Sequence, residues 1–473
     1  MAGVDRMAIS KNQLLFNFLV RVLPYLVIYF ISLVLCDSRI NALLTMPTMI
    51  IISANLLMLR VRFVSIPEVI LFVTYLAFVI RPLQVVSGNA FIGTTVGYNR
   101  YTDDQFLITH ACAWIFLLVC SFYFSIWRSK NIKEYRLSTF SGLEIILLCI
   151  SIASFLIYMA GMGGLSNVLA PRFEKMKVLD APWLTFFRAM QMTATAVLFI
   201  MAKDKGWRYA PCAIASFFIL IMSANPFNTS RFSLLAAYIP LALIWLRGRV
   251  SAQNFMIAAG VFTVILMPIL NATTRGGGAA ADNSSMNESI FVIKFVDVFD
   301  MTVENVSYSS VFGYTYGQKL IGDALFFIPR AVWTSKPSLN ALDVGGRLVD
   351  LDIAGTDNLS MPVFADGFRD FHLIGALFGS VFFLHIIYLG AFWRPVIVDG
   401  FPISGFIVFA SIPIVFRGPF SSTVPLVFFQ IVSLFFLSLI LKRLSVKYTS
   451  GKAQLLSVRP KSVGQSPAEE MNK

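Results

Sequence analysis

Arginine is the residue this sequence is best placed to use for chemistry. Arg172, Arg231, Arg330 and Arg369, together with Lys336, stand between long apolar runs on the side of the chain where topology does not ask for positive charge. Arg81 and Arg188 lie near the ends of such runs. A guanidinium presents a planar fork that grips phosphate or carboxylate bidentately, so the pattern points to an anionic ligand. Acids are also plentiful in 271–371, and any one of the loop arginines has a second reading as half of a surface ion pair of small energetic weight. Arg81, Arg188 and Arg231 border low dielectric and need a partner in either reading.

In Asn225-Pro-Phe-Asn-Thr-Ser-Arg231 one helix is expected to end and the next to begin. Asn228, Thr229 or Ser230 caps the new helix in this reading, beside an Arg and a set of amide N–H groups suited to a phosphate. The alternative is an arginine snorkelling to lipid head groups. Of the three histidines, His110 and His372 fall near span ends and His385 within an apolar run, and His372 is the one placed to titrate usefully. Asp343, Asp350, Asp352 and Asp357 lack the spacing of a cation-binding loop and read as solvated acids. The five cysteines all sit inside apolar runs without paired spacing, which argues against zinc or structural disulfides. No Walker loop, dinucleotide fingerprint, HExxH or GxSxG motif appears. Neither a metal nor any other cofactor is expected.

These residues are held by a chain of 473 residues that is 57% hydrophobic and 13% charged, with 45 Phe and a net charge of +13. Soluble chains run at about 25% charged, so the composition excludes a water-soluble enzyme and marks an integral membrane protein. The basic residues form short clusters with no polar domain behind them, which excludes a nucleic-acid groove. A bilayer core needs about 20 apolar residues per helix, and about twelve such runs are present. They lie near 16–36, 40–59, 63–86, 107–127, 140–160, 184–202, 209–224, 232–246, 254–270, 372–392, 401–416 and 424–441. The first has no small-residue cleavage site and reads as a retained span. Alternate connections carry Arg60/Arg62, Arg128/Lys130/Lys133/Arg136, Lys203/Lys205/Arg208, Arg247/Arg249 and Arg394, which puts both termini in the cytoplasm.

The expected organisation is an all-α polytopic membrane protein. Residues 1–270 hold helices one to nine, 271–371 form a single large extracytoplasmic loop, 372–441 hold three more helices, and 442–473 form a disordered tail. A loop as long as 271–371 inside a helical protein is usually functional. It opens on a flexible stretch at Arg275-Gly-Gly-Gly. Phe291, Phe295, Val298, Phe299 and Val303 then share one helical face over 290–306, read as an amphipathic helix on the outer membrane surface or a contact to a lipid substrate.

Four stretches carry a family resemblance over about 155–395. They are Gly163-Gly164-Leu165 with Pro171-Arg172; Thr229-Ser230-Arg231; Gly313-Tyr314-Thr315-Tyr316-Gly317 leading to Ile328-Pro329-Arg330 and Trp333-Thr334-Ser335-Lys336-Pro337; and Phe364-Ala365-Asp366-Gly367-Phe368 with Phe371 and Gly375. In these the chain resembles the Wzy-type polymerases of O-antigen and related bacterial surface polysaccharides. Where the family shows an acid, an aromatic and then Asn-Phe-Gly, this chain has Asp370-Phe371-His372, and Asp366 stands nearest the family's acidic position.

The resemblance implies a membrane glycosyltransferase (GT-C-like) architecture in the bacterial inner membrane. It implies polymerisation on the periplasmic face, in which a growing glycan is moved from undecaprenyl pyrophosphate onto a second lipid-linked repeat unit. Donor and acceptor are both undecaprenyl-pyrophosphate-linked oligosaccharides, with membrane lipids, a chain-length regulator and a flippase as further partners. Arg172, Arg231 and Arg330 are then expected to recognise pyrophosphate and glycan, with Lys336 and Arg369 next. Cations of this kind stabilise charge developing on the leaving group. Asp366, ahead of His372, is expected to serve as general base. An O-antigen ligase shares this layout. A twelve-span flippase or transporter is the reading from another class, but it would show internal repeats and midplane charges, and none stand out here.

Overall fold

The computed structural model describes residues 11–34, 36, 39–59, 63–86, 101–127, 133–136, 142–170, 183–226, 228–262, 297–328, 332–351, 359–393, 395–443 and 447–449. The stretch that opens at Arg275 lies outside them.

Helices form on the apolar runs because a backbone in hydrocarbon must satisfy its own hydrogen bonds. They are α1 (Lys11–Val34), α2 (Arg39–Leu57), α3 (Ile66–Leu83), α4 (Asp103–Ile126), α5 (Leu143–Gly161), α6 (Leu165–Leu169) and α7 (Trp183–Lys205). Then follow α8 (Ala210–Ser223), α9 (Arg231–Trp245), α10 (Ala252–Val261), α11 (Val298–Phe312), α12 (Gln318–Ala324) and α13 (Asn340–Asp350). The last are α14 (Val363–Tyr388), α15 (Ile403–Arg417) and α16 (Phe420–Arg443). Among the described residues seven segments are long and apolar enough to cross a membrane by length and composition: α1 to α5, α7, and the run Val363–Phe392 that contains α14. Four more apolar helices are shorter, at Trp207–Ser223, Phe232–Trp245, Ile403–Arg417 and Pro425–Leu441. Leu43, Ile50, Leu118, Phe122, Ile145 and Phe218 are exposed on the outer faces of this bundle, as lipid contact allows.

Among the described residues the bundle has two large packed cores and a small third cluster around Phe155, Tyr158, Met162 and Leu184. One gathers α1 to α4, α11, α14 and α15 around Phe78, Phe116, Phe299, Phe364 and Phe416. The other gathers α5, α7, α8, α9 and α16 around Leu147, Val197, Leu220 and Leu437. Packing of α15 on both α9 and α16 joins them.

Four features depart from the sequence-based picture. First, α11 does not lie on a membrane surface. Residues 298–306 are buried on every side of the helix, and its acids point at basic or hydroxyl partners inside the bundle. Phe291 and Phe295 fall outside the described residues.

Second, the helix expected to start near 372 starts at Val363, and it is bent back on itself. Phe371 (φ −140°, ψ 30°) and His372 (φ 58°, ψ −144°) leave helical geometry. Beyond the break Gly375 touches Gly367, and Gly379 touches Val363 and Phe364. Residues eight apart in a continuous helix would be about 12 Å apart, so the arms 363–370 and 373–388 run antiparallel. Gly375 and Gly379 supply the small-xxx-small face that such an approach needs.

Third, the chain is not purely helical. Four short strands, β1 (Lys133–Arg136), β2 (Val396–Val398), β3 (Phe401–Pro402) and β4 (Lys447–Thr449), form one sheet in the order β3-β2-β1-β4. β1 runs parallel to β2 and antiparallel to β4. Fourth, and as a result, the first part of the tail is ordered: α16 runs to Arg443 and 447–449 pair with β1.

Candidate functional site

The hairpin of α14 positions the site. Its short arm is buried almost throughout, and the segment leading into it is tied to α15: the Met361 N–H donates to the Arg417 carbonyl at 2.9 Å. Arg417 also reaches Asp297 at 3.1 Å from Nε, and Ser360 donates its hydroxyl to the same Asp297 oxygen and its N–H to the other at 3.2 Å. Burial pushes the Asp297 carboxyl up, but Arg417 and the Ser360 hydrogen bonds outweigh it and hold the group below the ordinary carboxylate range. Next along α11, Arg81 donates to Asp300 Oδ2 from Nε (2.9 Å) and Nη2 (2.7 Å), both side chains fully buried. Arg81 thus has the partner its position demanded. One turn on, Glu304 accepts from the Tyr101 hydroxyl at 2.5 Å and lies 3.7 Å from Arg347.

Asp370, last residue of the short arm, anchors the loop Gly313–Gly317. Its carboxylate accepts from Thr315 Oγ1 (2.6 Å) and from the N–H groups of Gly317 (3.0 Å), Lys319 (3.3 Å) and Leu320 (2.8 Å). The loop turns sharply at Tyr316 (φ 48°) and Gly317 (φ 90°). At Gly317 the Phe371 ring stands where a side chain would begin. From sequence Asp370 figures only in the stretch Asp370-Phe371-His372, with no role given to it.

Arg369 is the exceptional group. It is 5% exposed, its Nε and Nη1 have no hydrogen-bond partner, and no ion pair reaches it among the described residues. Its guanidinium stacks over the Tyr308 ring at 4.8 Å. Tyr308 packs on Phe312 (4.4 Å between centroids), and Arg347 lies over both rings. Burial raises the Tyr308 phenol, so it stays a neutral donor. A buried cation of this kind, with aromatic faces beside it, is built to receive an anion and a flat or apolar surface.

His372 lines a cavity of about 350 Å³ together with Tyr314, Tyr316, Asp370, Phe371, Ile374 and Phe378. Its ring meets Phe368 at 4.8 Å and Tyr314 at 5.5 Å. A second cavity of about 330 Å³, lined by Ile115, Leu118, Val119, Leu373, Ile374 and Leu377, shares Ile374 with the first. Together they make an apolar groove running along α14 against α4. Asp366, one helical turn before Arg369 and Asp370, is 6% exposed and accepts from Asn340 Nδ2 at 3.3 Å, while Asn340 also donates to Asn305 at 3.0 Å.

Asp366, Arg369 and His372 therefore all lie on the α14 hairpin, packed against Asn340, Tyr308 and the Tyr314 and Phe368 rings respectively. Lys336 stands apart: its Nζ donates to the carbonyls of Leu325 (3.1 Å), Phe326 (3.2 Å) and Ile328 (3.1 Å), closing the end of α12. Arg231 is the first residue of α9, capped by Ser230 Oγ accepting the Ser233 N–H at 3.3 Å as the sequence led one to expect; its side chain is outside the described residues. Arg172 and Arg330 are also outside them. No group of metal ligands occurs among the described residues. Set against family models, curated proteins and solved structures, the chain gives no match.

Proposed function

We propose that this chain is a glycosyltransferase of the Wzy type, polymerising undecaprenyl-pyrophosphate-linked repeat units into a bacterial surface polysaccharide. In this reading the bundle has twelve spans in the inner membrane, both termini are cytoplasmic, and the Arg369 end of the bundle faces the periplasm. The observation that carries it is Arg369: a buried guanidinium whose Nε and Nη1 have no hydrogen-bond partner and which no ion pair reaches among the described residues, next in the chain to Asp370 and the apolar cavity that Asp370 lines. An uncompensated buried charge costs several kcal/mol, a cost that a pyrophosphate bound in its reach would offset. The groove suits a polyisoprenyl chain, and the Tyr308/Phe312 pair offers faces for a sugar ring.

The chemistry needs little more. The bond between the donor's anomeric carbon and the pyrophosphate oxygen breaks, its electron pair leaving with a phosphate that Arg369 stabilises. The acceptor hydroxyl attacks the same carbon and gives its proton to a base. His372 is favoured for that role over Asp366, because its ring borders the cavity whereas Asp366 is held against Asn340.

The test is complementation of a deletion strain with wild type, Arg369→Gln or His372→Ala at matched membrane expression, reading the surface polysaccharide on a gel. Core carrying one repeat unit in the deletion, with a ladder restored by wild type alone, supports the proposal. Uncapped core with polymer left on the lipid carrier identifies a ligase, and a ladder unchanged by deletion removes the assignment.

A further inference from the structure

A second group of polar side chains lies away from the α14 hairpin, between α5, α7 and α9, beside the small cluster of Tyr158, Met162 and Leu184. The register of α5 against α7 is fixed at two levels. Leu184 packs on Gly161 at one, and Thr195 hydrogen-bonds Ser216 (2.6 Å), which donates to Ser151 (2.8 Å), at the other. Arg188 and Gln191 fall between, three residues apart on one face of α7. Gln191 is fully buried, and neither its amide nitrogen nor its oxygen has a hydrogen-bond partner. Tyr158, on the facing side of α5, is 1% exposed with its hydroxyl likewise unmatched. Arg188, half-buried, has no hydrogen bond or ion pair among the described residues, and lies close enough to act electrostatically on the hydroxyls of Tyr158 and of Tyr238 on α9. Tyr238 is itself engaged, donating to the Ala224 carbonyl at 2.8 Å.

Leaving such groups unpaired costs about 1–3 kcal/mol each, and the register sets them along the space between α5 and α7. Arg188, the Tyr158 hydroxyl and the Gln191 amide nitrogen are donors suited to an anion, and Gln191 Oε1 is an acceptor for a hydroxyl. We propose that this space binds a phosphate ester carrying a free hydroxyl, with phosphate at Arg188 and hydroxyl at Gln191. The site is separate from the Arg369 groove and does not rest on the glycan reading.

The test uses the full chain purified in detergent and native mass spectrometry, with phosphatidylglycerol, phosphatidylcholine and inorganic phosphate as probes. Wild type is expected to retain one phosphatidylglycerol at least tenfold more tightly than phosphatidylcholine. Arg188→Gln and Gln191→Leu lose that preference, Tyr158→Phe weakens it, and Arg369→Gln keeps it. If inorganic phosphate instead stabilises wild type but not Arg188→Gln against heat, and neither lipid is retained, the same chemistry belongs to a soluble ester. Equal retention by wild type and Arg188→Gln, or no response to any probe, overturns the proposal and leaves the space to water. Tyr158→Phe, nearly isosteric, keeps the test decisive where a larger change fails to fold.

Discussion

Gly367 and Gly375 meet backbone to backbone, each standing where the other's side chain would have to be. The whole α14 hairpin depends on that absence of atoms, and with it the positions of Arg369, Asp370 and His372.

Gly375→Ala is accordingly expected to open the hairpin. A methyl would overlap the Gly367 carbonyl, which belongs to backbone and cannot rotate away, so the cost should exceed the roughly 1–3 kcal/mol of ordinary overpacking. Gly346→Ala on α13 meets no atom within 4 Å and should be neutral or gain about 0.5–1 kcal/mol. Thermal melts of the purified variants decide it; equal melting temperatures for the two would refute the packing argument.

Arg369→Met separates stability from activity. Removing a buried charge that no ion pair reaches among the described residues relieves its desolvation cost, so the melting temperature should hold or rise while polymer formation falls by two orders of magnitude or more. A destabilised variant that still forms polymer would show that Arg369 is a packing group and nothing else.

His372 occupies φ 58°, ψ −144°, a region open to glycine and costly to other residues by about 1–3 kcal/mol. His372→Gly should melt above His372→Ala, with both losing activity on the order of a hundredfold or more as expected for a general base. If glycine and alanine melt together, the turn carries no strain.

The Asp297–Arg417 pair sets an acid limit on stability. A carboxyl whose folded value is depressed adds stability that is complete above its unfolded value, near ~3.9, and is lost as pH falls through the folded value. Wild type should therefore lose melting temperature below about pH 4. Asp297→Asn should start lower, by about 3–5 kcal/mol for breaking a buried pair, and show a shallower acid limb. Parallel curves for the two proteins would rule out Asp297 as the titrating group.

Much of the frame was legible because hydrocarbon imposes a simple rule, and apolar runs of sufficient length gave helices near their expected positions. The need of Arg81 for a partner and the cap at Ser230 were also readable, since both follow from local chemistry. The site was less so. Asp297, Asp300 and Glu304 look like solvated acids in a polar loop, and only the return of the chain to residues as distant as Arg81 and Arg417 makes them buried. The break at Phe371–His372 carries neither Pro nor Gly, so no breaker marks it; the signal lay in Gly367, Gly375 and Gly379, whose spacing makes sense only for two arms face to face. Strands of two to four residues, as in β1 to β4, are too short to show a period.

The bond between Arg81 and Asp300 also sets an order of biosynthesis. The two residues are 219 positions apart, so at about 5–20 residues per second the arginine emerges roughly 10–40 s before its acid exists. Through that interval Arg81 lacks the carboxylate that receives it in the finished fold, and the end of α3 has every reason to stay at the water boundary. Its final seat opens only when α11 arrives, which makes the middle of the chain the step that completes the first half.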